Sequence, residues 1–86
     1  MGKIKLNDSI LSKTLADQEV LIDLQSGNYF GMNETGTLLW AKIKTGATRD
    51  ELAEILREKF GLNDKEAKSD VKEFLSALKR DSLIES

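Results

Sequence analysis

Two rhythms of apolar residues divide the chain. Up to about Asn33 they come in short alternating or continuous stretches, and beyond it they recur at helical spacing. Glu19–Leu24 reads as a strand in which Val20, Ile22 and Leu24 alternate with Leu21 and Asp23, so that one face is apolar. Gln25-Ser26-Gly27-Asn28 reads as a turn, Gly27 supplying the positive φ that such turns often need. Tyr29–Met32 follows as the second strand of a hairpin, with Phe30 and Met32 on its inner face and Tyr29 and Gly31 on the other. A preceding strand is expected at Leu11–Ala16, turning at Asp17-Gln18. Residues 1–9 show no comparable pattern, and whether they are ordered is left open.

The helical half is more sharply marked. Asn33 can cap a helix running to about Lys44, with Leu39 and Ile43 one turn apart, Trp40 beside them and Gly46 as its stop. Thr48-Arg49-Asp50-Glu51 is a capping box that opens a second helix to Phe60, striped by Leu52, Leu56 and Phe60 and closed by Gly61. Asn63-Asp64-Lys65-Glu66 starts a third helix, on which Ala67, Val71, Phe74, Leu75 and Leu78 form one amphipathic stripe. Leu83 and Ile84 make a short apolar tail, expected against the sheet or the second helix. Strands followed by helices predict an α+β fold. A three-stranded antiparallel sheet is followed by a winged-helix-like bundle of three helices, in a single domain spanning residues 1–86.

Composition narrows the chemistry. The 86 residues include no Cys and no His. That removes thiol and imidazole catalysis, disulfides and Cys/His metal sites. No glycine-rich phosphate loop and no calcium-binding loop motif is present. No catalytic residue, metal or cofactor is therefore assigned. The 13 basic residues face 15 acidic ones, for a formal net charge of −2, whereas a nucleic-acid binder usually carries a basic face. On the third helix, Lys65, Lys68, Lys72, Lys79 and Arg80 are interleaved with Glu66, Asp70, Glu73 and Asp81, the pattern of a solvated face. No apolar run approaches the roughly 20 residues of a membrane span, and Met1–Leu6 is too polar for a signal peptide. A cytoplasmic protein with no nucleic-acid or membrane partner is the expectation.

So small a domain has little room for a cavity beside its core, which favours a surface groove. Tyr29–Met32 is short and uncharged; at a sheet edge it could accept an extended peptide by strand addition. Val71, Phe74, Leu75 and Leu78 would form the opposite wall. Periodicity alone assigns Phe30, Met32, Phe74 and Leu78 to the core before it assigns them to a groove. A winged-helix DNA-binding protein and a structural subunit of a larger enzyme are the competing readings.

The block Glu19–Leu24, then Ser26-Gly27-Asn28-Tyr29-Phe30-Gly31-Met32-Asn33-Glu34-Thr35-Gly36 and Leu39-Trp40, resembles the signature of the PqqD-like family, also called RiPP recognition elements. Met32 stands where Leu is usual. Ser69-Asp70-Val71, Phe74-Leu75 and Leu78 resemble the family's helix motif, and Leu83-Ile84-Glu85 its usual close. The resemblance implies a non-catalytic domain that binds the leader of a ribosomally made precursor peptide, as in PQQ or other RiPP biosynthesis. Such a domain presents the precursor to a modifying enzyme such as a radical-SAM maturase, a leader peptidase or a cyclase. It also implies that Tyr29, Phe30, Gly31 and Met32, with Asp70, Val71, Phe74, Leu75 and Leu78, contact that leader. Asp70 is then a polar contact in or beside the groove, or else a local salt bridge or cap. Thr35-Gly36 reads as a point where the first helix packs closely against the sheet.

Overall fold

Three strands precede three helices: β1 (Ile10–Leu15), β2 (Gln18–Asp23), β3 (Tyr29–Gly31), α1 (Glu34–Lys44), α2 (Arg49–Phe60) and α3 (Asp64–Arg80). The structure, a computed structural model, describes residues 2–85; Met1 and Ser86 of the expected 1–86 domain lie outside the described residues. The sheet is antiparallel in the order β1-β2-β3. The α+β architecture expected from the apolar pattern is the one observed.

Strand limits differ from expectation by about one residue, for a local reason. Ala16 and Asp17, at φ +50° and +67°, form the two-residue connection between β1 and β2. Both central residues of such a turn are left-handed when its twist matches that of the strands. The turn therefore falls at Ala16-Asp17 rather than Asp17-Gln18, and Gln18 already pairs with Leu15.

The faces of β2 are the reverse of the usual amphipathic reading. Glu19, Leu21 and Asp23 are buried under the helices, while Val20 and Ile22 are half-exposed and Leu24 is exposed. Each buried carboxylate has partners that make this possible. Glu19 accepts from Thr14 Oγ1 at 2.7 Å and from Lys44 Nζ at 3.0 Å. Asp23 Oδ1 accepts from Gln25 N at 2.9 Å and Ser26 N at 3.4 Å, which fixes the turn that Gly27 completes at φ +79°. The Thr14 hydrogen bond chiefly, with the Lys44 ammonium beside it, holds the Glu19 carboxyl below its ordinary value against the opposing effect of burial.

The helices start where the capping residues stand. Asn33 accepts from Gly36 N, and full capping boxes form at Thr48/Glu51 and Asn63/Glu66. Leu21, Leu39, Trp40, Ile43, Leu52, Leu56 and Leu83 are the large side chains fully enclosed in the core. Phe60, expected to extend the α2 stripe, is instead 42% exposed at the helix end, just before Gly61 turns the chain away at φ +67°.

The chain ends close on each other. Ile4 is buried, with its N–H on the Ala47 carbonyl. Asn7 N–H reaches the Leu83 carbonyl, Glu85 N–H reaches the Lys5 carbonyl, and Leu6 bridges Ile84. The Leu83-Ile84 tail thus pairs with the N-terminal segment while burying its side chains in the core. Helix α3 ends in a Schellman motif: Leu83 N–H bonds the Leu78 carbonyl at 2.9 Å and Ser82 N–H the Lys79 carbonyl at 3.1 Å. Ser82 takes the left-handed position, at φ +61°, that glycine usually fills. The motif folds Leu83 back beside Leu78.

Candidate functional site

Among the described residues β3 pairs only with β2, so its other edge is open. Which of its backbone groups face outward follows from the ladder. Asp23 N–H bonds the Asn28 carbonyl and Met32 N–H the Glu19 carbonyl, both at 2.9 Å. Hydrogen-bonded and non-hydrogen-bonded pairs alternate in an antiparallel ladder. Leu21–Phe30 is therefore a bonded pair, whereas Ile22–Tyr29 and Val20–Gly31 are not. The N–H and C=O groups of Tyr29 and Gly31 consequently point to the free edge.

A hydroxyl ends this strand. Glu19 N–H donates to Thr37 Oγ1 at 3.0 Å, and that hydroxyl faces the Met32 carbonyl at 3.4 Å. Thr37 thus takes up a rung of the ladder where the chain leaves β3 for α1. The open edge is limited to a few residues ending at the Asn33 cap.

Beside that edge lies a groove of about 470 Å³. Phe30 lines it from β3 and Met32 from just beyond that strand, Phe74, Ala77 and Leu78 from α3, and Leu83 from the tail. Gly36 contributes a close approach: a β-carbon there would sit 3.2 Å from Asn33 Oδ1 and 3.4 Å from the Phe74 ring. The close approach expected at Thr35-Gly36 is therefore against α3 and the Asn33 cap rather than against the sheet, because Phe74 reaches across to the start of α1. Asp81, the C-cap of α3, supplies a carboxylate to the lining, with Arg80 Nε 3.8 Å away.

Of the residues singled out in the sequence, Tyr29, Phe30, Gly31, Met32, Phe74 and Leu78 meet at this groove. Tyr29 and Gly31 are exposed, Phe30 and Phe74 half-buried, and Met32 and Leu78 show the groove only a sliver of surface. Val71 and Leu75 are buried in the core and are absent from the lining. Asp70 is exposed, without an ion pair among the described residues. Helical spacing puts it one turn before Phe74 on the stripe that continues through Ala77 to Asp81, beyond the end of the lined groove. Ala77, Asp81, Asn33 and Leu83 were not expected to line the groove. The same spacing from Phe74 would have found Ala77 and Asp81; only the tertiary fold brings Leu83 in.

A second cavity, of about 620 Å³, lies between the β1–β2 turn and α1, with Asp17, Glu34, Leu38 and Phe60 in its lining. It is larger but borders no open strand of the sheet. Among the described residues no acidic cluster is placed to hold a metal ion, and no helix is long and apolar enough to cross a membrane.

The family model of coenzyme PQQ synthesis protein D matches residues 18–84. No curated protein matches the chain significantly. The structure of TbiB1 in complex with the TbiA(beta) leader peptide superimposes with a TM-score of 0.91 at 28% identity, covering 95% of this chain and 95% of that one. Lasso peptide synthetase B1 complexed with the leader peptide gives 0.89 at 22% identity, over 96% of this chain and 98% of that one. At the latter identity the likeness is one of fold.

Proposed function

Because the chain belongs to the family of coenzyme PQQ synthesis protein D, we propose that it binds the leader of a ribosomally made precursor peptide and holds it for a modifying enzyme. The observation that carries this reading is the open edge of β3, with the outward backbone groups of Tyr29 and Gly31 beside an apolar groove. An extended leader adds to that edge as a fourth strand. Backbone hydrogen bonds fix its register, and every second side chain enters the groove against Phe30, Phe74 and Leu78. Asp81, and Asp70 one further stretch along α3, offer carboxylates to basic leader residues.

The role is one of capture without covalent chemistry. It raises the local concentration of precursor at its enzyme, a radical-SAM maturase, leader peptidase or cyclase acting in the cytoplasm. A strand-addition interface of this size supports roughly micromolar affinity or somewhat better, about −8 to −10 kcal/mol. Calorimetric titration of the full chain with the leader of its cognate precursor should give a saturable signal in that range, and a scrambled leader none. Absence of heat, together with unmoved amide resonances along Tyr29–Met32, would rule the reading out.

A further inference from the structure

The face of the sheet turned away from the helices is apolar. Leu11, Leu15, Leu24 and Tyr29 are 50–73% exposed, and all four stand on it. The strand register sets them in rows: Leu11 beside Ile22 beside Tyr29, then Lys13 beside Val20 beside Gly31, with Leu15 opposite Gln18 and Leu24 continuing β2. Lys13 is the sole ionised side chain in these rows and has no ion pair among the described residues. An antiparallel sheet with one wet face ordinarily turns its polar residues outward. Here Glu19 and Asp23 are turned inward, and the branched and aliphatic residues meet water.

We propose that this outer face is a docking surface for the modifying enzyme, and that it takes an apolar patch edged by a carboxylate placed to meet Lys13. The choice of enzyme rests on the function proposed above. Three features of the face select this occupant over a second copy of the chain. Strands of at most six residues give a layer about 20 Å by 15 Å, well below the roughly 800 Å² per partner of a standard stable interface. Among the described residues a second copy offers Lys13 no carboxylate on the matching rows of the sheet. The face is also continuous with the open edge, because Tyr29 belongs to both. A strand added to β3 widens this layer by about 4.8 Å, so an enzyme seated on it lies against the bound precursor.

The test uses the full chain, methyl- and amide-labelled, and the purified enzyme that modifies its cognate precursor. Binding of that enzyme should broaden the methyl signals of Leu11, Val20, Ile22 and Leu24 and weaken with salt. Lys13→Glu and the double variant Leu11→Ser with Leu24→Ser should each weaken enzyme binding about tenfold or more. Leader affinity should stay within about twofold for Lys13→Glu, because Lys13 lies two strands from the open edge. Amide dispersion and the melting temperature report whether each variant is folded. Wild-type affinity for the enzyme in both folded variants overturns the proposal. So does movement of the same methyl signals on simple concentration of the free chain, which would make a second copy the occupant. Leader binding measured in parallel separates the two readings: a wild-type chain that ignores its leader removes the strand-addition role, and the enzyme as occupant with it.

Discussion

The sheet has two open edges, and they are built differently. At β1 the longer strand leaves outward backbone groups at Ser12 and Thr14, by the same alternation that places Leu24 N–H on the Ser9 carbonyl. Their side chains belong to a polar network: Thr14 donates to Glu19, and Lys44 Nζ sits 3.0 Å from Glu19 and 3.3 Å from Ser12 Oγ. Lys13 stands exposed between them. This is a guarded edge, since charge next to unpaired backbone discourages another strand. At β3 the strand is half as long and uncharged, and the space beyond it is the groove of Phe30, Phe74 and Leu78. Unpaired backbone is common to both. What separates them is whether the helix beyond the edge presents apolar surface or an ion pair, and in this account that decides which edge accepts a peptide.

Substitutions at matched positions can break that contrast. Phe74→Ala should have the largest effect, weakening leader binding by about 2–3 kcal/mol, because an aromatic anchor in a groove supplies much of the binding energy. Its thermal stability should fall less, since the ring is already half-exposed. Gly31→Pro removes one outward N–H without cutting the β2–β3 ladder, so calorimetry should show a loss of about 1–2 kcal/mol in leader affinity. Ser12→Pro makes the same change at the guarded edge and should leave leader affinity unchanged.

Glu19→Gln probes the guard itself. It should cost about 1–2 kcal/mol of unfolding free energy near neutral pH, by weakening charged hydrogen bonds to Thr14 and Lys44. The Glu19 pKa is lowered in the folded protein. Its contribution is therefore fully present above the ordinary carboxylate range and is lost as pH falls through the depressed folded value. Chemical denaturation across that acidic window should show the wild type converging on the variant. The smallest expected change is at the β1–β2 turn. Ala16→Gly relieves a left-handed alanine, and the melt should report a gain of up to about 1 kcal/mol with leader affinity unaltered.

How much of this was legible in the sequence depends on the kind of signal. The helices were, because caps are local: Thr48 with Glu51, Asn63 with Glu66, and Gly61 name their own positions. The inner placement of Phe30 and Met32 was legible too. The facing of β2 was not. A period of two says that Val20, Ile22 and Leu24 share a side, but not which side is inward, and hydropathy favours the wrong one. The true facing depends on Thr14, Lys44 and the 25–26 turn amides satisfying two buried carboxylates, which are contacts no local pattern announces. The groove was half legible. The stripe on α3 could be read, but Val71 and Leu75 point into the core while Phe74, Ala77 and Asp81 face the groove. Separating them requires knowing the angle at which α3 meets the sheet.

The most direct test is hydrogen exchange at four amides, read by NMR with and without saturating leader. Tyr29 and Gly31 on one edge, and Ser12 and Thr14 on the other, all point away from the ladder and should exchange quickly in the free chain. Leader binding should protect Tyr29 and Gly31 by about tenfold or more while leaving Ser12 and Thr14 unchanged. Protection at Ser12 and Thr14 instead, or a saturated complex in which none of the four slows, would contradict strand addition at β3.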